Sequence, residues 1–192
     1  MTAKLTGLKA SKDNISQTID LEDLFGVSFA GRPVLREAIG QAIIDRIIDR
    51  TEEGKSVNGG NLKSPYSGKY ADSDEFALYG KNKNEVNMTL TGNMLNDLDI
   101  VDQTTSTITI GFNDEVNQKK AANHHQGVTV PKRPFFGVSK KDLEAIKKEF
   151  KSELDESEDE GESFGTSAQA LGGLSARDAF FNLFGDLFDG ES

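Results

Sequence analysis

The chain has 192 residues, no cysteine and a formal net charge of -10 at pH 7. That length suits one domain with terminal extensions, or at most two small domains. The lack of cysteine excludes disulfides, thiolate metal sites and cysteine nucleophiles. No apolar run approaches the roughly 20 residues that span a membrane, and the amino terminus carries no secretory apolar segment. We therefore expect a soluble intracellular protein without membrane contact.

The negative charge is confined to the carboxyl-terminal end of the chain. Residues 1–151 carry 21 acidic and 21 basic side chains, whereas residues 152–192 carry 11 acidic side chains and one basic residue, Arg177. The first part is therefore neutral, without the basic excess on which tight binding of duplex DNA relies. We expect that this protein does not bind DNA tightly.

The amino-terminal part is predicted to form an arm, a short helix and a long helix. Residues 1–17 are polar and indicate a flexible arm. The run Thr18–Phe25 predicts a short helix capped by Thr18 or Asp20. The apolar periodicity that follows predicts a long helix over Val34–Glu53.

The long helix carries more apolar residues than one buried face needs. Pro33 suits its first turn. Most of its apolar side chains share one face, whereas Ile44 and Ile48 point elsewhere. A helix exposed to solvent on its far side has no need of this second set. The two isoleucines either pack against neighbours in the same domain or form a subunit interface.

The middle of the chain predicts a long loop followed by a small antiparallel sheet. Gly54–Glu85 is rich in glycine and tyrosine, and a connection of that length is usually either functional or disordered. Asp97–Asp102 and Thr105–Phe112 predict a hairpin, because apolar and polar residues alternate along them. Val128–Val130 is predicted to add a third strand.

The segment Ala121–Phe150 carries the strongest local signals. Pro131 and Pro134 flank the dipeptide Lys132-Arg133. They are predicted to hold it in an extended conformation. Phe135 and Phe136 follow directly and are predicted to set a rigid corner.

A helix is predicted after this corner. Ser139 and Asp142 have the spacing of a capping box, in which each side chain caps the other's backbone N–H. Leu143, Ile146 and Phe150 then lie on one helical face. The helix is predicted to run from Ser139 to about residue 154 and to cover the apolar face of the sheet.

The last forty residues predict a tether and an anchor. Residues 152–163 contain seven carboxylates among twelve residues, and like-charge repulsion predicts a disordered linker. A helix with an apolar stripe is then predicted, and the stripe either folds back onto its own domain or docks in a groove of another subunit or protein. Its members are Phe180, Leu183, Phe184, Leu187 and Phe188.

No motif in the sequence indicates catalysis. His124 and His125 are the only histidines, and adjacent side chains diverge, so one metal ion is not expected to bind both. Neither a phosphate-binding loop nor a nucleophile elbow is present. Asp97, Asp99 and Asp102 alternate along a predicted strand and do not complete a calcium loop. We expect no enzyme, no cofactor and no metal site.

One run of the sequence resembles a family of phage proteins. It has the pattern R-P-F-x-G-x-S-x-x-D, carried by Arg133, Pro134, Phe135, Gly137, Ser139 and Asp142. In the phage virion-morphogenesis family, the tail-completion and neck proteins of tailed phages, an H-x-x-G-like turn leads into such a segment. This run is the most specific part of the resemblance.

The resemblance extends over about residues 30–152. As in that family, a long helix and a loop rich in glycine, tyrosine and serine precede a T-G-x-x-L-x-x-L-like segment and a hairpin. That segment is carried by Thr91, Gly92, Met94 or Leu95, and Leu98. Two features depart from the family pattern: the loop lacks a tryptophan, and a long acidic extension follows the last family helix. The extension suggests a partner specific to this virion.

These elements predict an α+β fold in which a long amino-terminal helix and a carboxyl-terminal helix pack on a small antiparallel sheet. Residues 1–29 would form an arm with a short helix, and residues 30–152 the neck-like domain. Residues 153–174 would form an acidic flexible linker, and residues 175–192 a phenylalanine-rich anchor helix.

The resemblance implies a structural virion protein, assembled in the cytoplasm of the bacterial host. It implies a homo-oligomeric ring, a hexamer or alternatively a dodecamer, that caps the tail tube. Its partners would be the head–tail connector and the tail tube or sheath proteins, with DNA only as passing cargo. The expected interface residues are Ile44, Ile48, Arg133, Phe135, Phe136 and the five apolar residues of the anchor helix. The alternative is an acidic-tailed regulatory or assembly-chaperone binding protein.

Overall fold

The computed structural model describes residues 7–62, 66–89 and 91–154. Its strands are β1 (Leu8–Ala10), β2 (Ile15–Asp20), β3 (Leu98–Gln103) and β4 (Thr107–Phe112). They form an antiparallel sheet in the order β1-β2-β4-β3. Its helices are α1 (Leu21–Phe25), α2 (Pro33–Glu52), α3 (Gly68–Ala71), α4 (Asp74–Leu78), α5 (Glu115–Gln126) and α6 (Lys140–Glu149). The fold is α+β, as predicted.

The sheet has one apolar face and one polar face, because residue types alternate along its two central strands. Ile19 of β2 pairs with Ile108 of β4, and both are buried together with Ile110. On the opposite face, the hydroxyl groups of Thr18 and Thr109 lie 2.9 Å apart. Apolar side chains of α1, α2, α5 and α6 join this isoleucine face in one core cluster.

Helix α2 agrees with the predicted helix to within one residue at each end. Pro33 occupies the first turn, where its missing N–H leaves no helical hydrogen bond unmade. Gly40 lets the helix approach the sheet closely, since a Cβ atom there would lie 2.3 Å from Ile100 Cδ1. The helix therefore sits directly on strands β3 and β4.

The prediction of a flexible arm is wrong for residues 8–17, which contribute to two strands. Burial alternates along β2, and Gln17 is buried although it is polar. Thr18 belongs to this strand and does not cap α1. Asp20 is the cap, since its Oδ1 atom accepts a hydrogen bond from the N–H of Asp23 at 3.0 Å.

The predicted hairpin is confirmed, but the predicted third strand is wrong. Leu98 faces Phe112 across β3 and β4. Val128–Val130 forms no strand, because the side chain of Asn123 accepts the N–H of Thr129 at 2.8 Å and folds that segment against α5. The other two strands of the sheet are β1 and β2.

Two further segments are helical where no helix was predicted. The histidine pair lies near the end of α5 rather than in a turn. The long loop Gly54–Glu85 contains α3 and α4, so its described part is not structureless. Within it the rings of Tyr66, Tyr70 and Phe76 pack edge to face, with centroids 5.1 to 5.4 Å apart.

Helix α6 begins with the predicted capping box of Ser139 and Asp142. Its regular part ends at Glu149, and residues 151–154 add a further helical turn. The predicted acidic linker and anchor helix lie outside the described residues from 155 onward. In the three stretches that the structure describes, no helix is long and apolar enough to cross a lipid bilayer.

Two helix-ending glycines allow a matched test of one tight turn. Gly127 and Gly26 both end helices with left-handed backbones, with φ values of +75° and +79°. A Cβ atom at Gly127 would lie 2.9 Å from the backbone of Lys132, whereas Gly26 has open space around it. We expect Gly26→Ala to lower the free energy of unfolding by about 1–2 kcal/mol and Gly127→Ala to lower it by more. Chemical denaturation measures both, and equal losses would contradict the steric argument.

Candidate functional site

The segment from Pro131 to Asp142, here called the corner, is fastened to the end of α2 by one arginine. The Nη1 atom of Arg50 donates to Asp142 Oδ2 at 2.5 Å. Its Nη2 atom donates to the carbonyl oxygens of Phe135 at 2.9 Å and Gly137 at 2.6 Å. One guanidinium therefore joins α2, the corner and the start of α6.

The arginine and its carboxylate partner are largely removed from water. The side chains of Arg50 and Asp142 are 12% and 18% exposed. Burial lowers the pKa of Arg50, and the adjacent carboxylate of Asp142 opposes that change. The same carboxylate oxygen also accepts the N–H of Ser139 at 3.0 Å. Removing either partner would leave a poorly solvated charge, which is usually strongly destabilising.

Two more contacts hold the corner from the side of the sheet and the loop. The side-chain oxygen of Gln17 accepts the N–H of Val138 at 2.9 Å. Gly137 has a φ of +110°, and a Cβ atom there would lie 3.1 Å from that same oxygen, so glycine suits the position. The N–H of Val57 donates to the carbonyl oxygen of Pro134 at 2.9 Å. The corner is thus bonded to β2 and to the segment after α2.

Phe135 and Phe136 fill the core beneath the corner, and both are fully buried. The ring centroid of Phe136 lies 5.7 Å from that of Phe112 on β4. The ring of Phe135 packs near His125 of α5, with centroids 6.4 Å apart. In the described chain both rings therefore act as core residues.

The other residues expected at an interface have mixed positions. Ile44 is 2% exposed, which favours packing against neighbours in the same domain. Ile48 is half-buried against the core, so part of its side chain faces solvent. Partner contact by either one, and by the phenylalanine pair, stays a prediction. Phe180, Leu183, Phe184, Leu187 and Phe188 lie outside the described residues.

Arg133 attaches the aromatic loop to the corner. Its side chain is almost entirely buried, and its guanidinium carbon lies 5.1 Å from the ring centroid of Tyr66, within the range of a cation–π interaction. Burial lowers the pKa of Arg133, whereas Tyr66 and Tyr70 raise it. Its Nε atom has no hydrogen-bond partner among the described residues, so the aromatic contact is its main compensation.

The outer end of this loop presents apolar side chains to solvent. Leu78 is 80% exposed and Tyr79 is 49% exposed, both where α4 ends. They lie next to the aromatic trio, which is fixed to the body through Arg133. Two adjacent exposed apolar residues are a candidate partner contact. Sequence periodicity did not reveal them because the segment was predicted as a loop.

The pKa values of both histidines are lowered by their surroundings. Burial and then the positive charge of Arg133 lower the pKa of His124 to about 4. Burial and then Lys132 lower the pKa of His125. Within residues 7–62, 66–89 and 91–154, no group of three or more histidine or acidic side chains is placed to hold a metal ion. The carbonyl oxygen of His124 accepts the N–H of Arg133 at 2.7 Å, so the end of α5 is bonded to the corner.

Sequence reasoning missed the residues that hold the corner from other elements. Arg50 follows Ile43 and Ile47 at helical spacing, so a signal for its inward direction was present. Gln17 sits in a weakly alternating strand, and only the pairing of β2 with β4 shows that it points inward. Comparison of the chain with protein-family models, curated proteins and solved structures finds no match.

A matched pair of arginines tests the fastening of the corner. Arg50→Lys keeps a positive charge but cannot reach both carbonyl oxygens, so we expect the free energy of unfolding to fall by about 2–4 kcal/mol. Arg46→Lys changes the exposed pair with Glu149, whose side chains are 35% and 49% exposed, and should cost less than about 1 kcal/mol. Denaturant titration measures both, and similar losses would refute a special role for Arg50.

The neutral state of His124 predicts a pH dependence of stability. Its folded pKa of about 4 lies below the ordinary value of 6.5, so the unfolded chain takes up the proton first as the pH falls. The free energy of unfolding should therefore decrease from about pH 6.5 to about pH 4. His124→Gln, with His125 left unchanged, should make this decrease in the free energy of unfolding shallower. Parallel stability curves for the two proteins would contradict the assignment.

Proposed function

We propose that the protein is a structural component of the head–tail junction of a tailed phage. The observation that carries the proposal is the R-P-F-x-G-x-S-x-x-D run, because its residues act together in the corner. Phe135 fills the core, Gly137 supplies a left-handed backbone, and Asp142 both caps α6 and binds Arg50. A run that resembles the neck family therefore has a coherent structural role in this chain.

The proposed assembly is a homo-oligomeric ring, a hexamer or alternatively a dodecamer. Head-to-tail contacts between identical subunits generate a ring when the rotation closes. Leu78 and Tyr79 supply an exposed apolar contact on a supported loop, and Ile48 adds a half-buried one. The ring would cap the tail tube and bind the head connector, while the charge-balanced residues 1–151 would let DNA pass as cargo.

The proposed subunit also has defined roles for its long helix and its carboxyl-terminal end. The long amino-terminal helix would pack on the sheet. Residues 153–174 would form an acidic tail. The helix over residues 175–192 would dock its phenylalanine stripe on a neighbouring subunit or another virion protein. In the mature particle the protein would then sit between capsid and tail.

A second candidate is an acidic-tailed regulatory or assembly-chaperone protein. One observation favours it: residues 152–192 carry 11 acidic side chains and only one basic residue, a composition typical of segments that bind or mimic charged partners. Such a protein would bind virion components during assembly and then leave.

Quantitative mass spectrometry of purified particles separates the two functions. A neck protein should be present at about six or twelve copies per particle, whereas a chaperone should be absent. Light scattering of the purified protein should detect the ring itself.

The exposed loop offers a variant for the same assay. Leu78→Ser with Tyr79→Ser should weaken ring formation, since the apolar contact is removed. Val116→Ser on α5 is the control, because Val116 is similarly exposed, at 58%, and lies in another helix. Intact rings from the double variant would exclude this loop as a contact, and absence from particles would exclude the neck function.

A further inference from the structure

The charged side chains of α6 are segregated onto two sides of the helix. Asp142 and Glu149 face α2, where they pair with Arg50 at 2.5 Å and Arg46 at 2.7 Å. These two acidic residues, near the two ends of α6, therefore bind the helix to α2. The basic residues of the helix are left on the other side.

That other side is a lysine face, defined by Lys140, Lys141, Lys147, Lys148 and Lys151. All five residues are exposed. Glu144 is the one acidic residue among them, so the face carries a net charge of about +4. In the described part of the chain, none of the five lies within ion-pair distance of a carboxylate. The face is therefore a compact positive surface whose charge α2 does not neutralise.

The chain itself continues from this helix into a segment of concentrated negative charge. Residues 155–162 contain six carboxylates and no basic residue. They begin directly after Leu154, at the end of the turn that extends α6. A positive surface and a negatively charged segment are thus adjacent in the same chain.

We propose that residues 155–162 dock on the lysine face of the same chain. Lys147 lies about 10 Å along the helix from Leu154 at a rise of about 1.5 Å per residue. An extended chain covers about 3.3 Å per residue, so about four residues can reverse direction and the next four can reach Lys147 and Lys148.

The covalent link to α6 favours binding of residues 155–162 from the same chain over those of a second molecule. A short flexible link gives its segment an effective concentration in the millimolar range, well above that of a second protein molecule in dilute solution. Each exposed pair contributes little alone, but several pairs act together over one surface. The contact is screened by salt, because both sides are exposed to solvent. The docked segment covers a surface that would otherwise attract polyanions.

Lysine acylation of the full-length protein tests the docking. At low salt, Lys147 and Lys148 should react at least about threefold more slowly in the wild type than in a variant with all six carboxylates changed to amides. Lys120 on α5 is exposed and serves as the control, which should react equally in both proteins. The difference should disappear at about 1 M salt, where the screening length falls to about 3 Å.

Carbodiimide cross-linking of an equal mixture of light and heavy-isotope protein then identifies the occupant. Links from Lys147 or Lys148 to residues 159–162 should join peptides of the same isotope. Mixed-isotope links would overturn the assignment to the same chain. Equal acylation in the wild type and the amide variant would overturn the docking itself. Neither measurement depends on ring formation, so failure here leaves the proposed function to its own test.

Discussion

The guanidinium of Arg50 is the interaction on which the architecture of this chain depends most. It binds a carboxylate and two backbone carbonyl oxygens at once, which a lysine ammonium cannot match with the same planar geometry. Without these partners its burial would be strongly unfavourable. The pairing therefore constrains where α2 ends, how the corner bends and where α6 begins.

This constraint explains why the run from Arg133 to Asp142 is largely internal. Its phenylalanine, glycine and aspartate contact other parts of the same chain, and Arg133 lies under Tyr66. Apolar side chains that reach solvent lie elsewhere, at the end of α4 and at Ile48. The run thus acts within the chain, by joining α2, β2 and the start of α6.

Local signals predicted the parts of the fold that depend on near neighbours in sequence. The capping box of Ser139 and Asp142 joins residues three apart, and the hairpin of β3 and β4 depends on simple alternation. Strand β2 was missed because its inward Gln17 is polar and its pairing partner is about ninety residues away. Helix α5 was missed because its buried side includes Ala121 and His125, which give a weak apolar stripe.

The position of β2 in the sheet has a consequence for biosynthesis. It lies between β1 and β4, so the first residues of the chain wait for a strand that is made more than eighty residues later. Such distant pairing slows folding and leaves apolar surface uncovered meanwhile. Until β4 has been synthesised, one edge of β2 therefore has no strand to pair with.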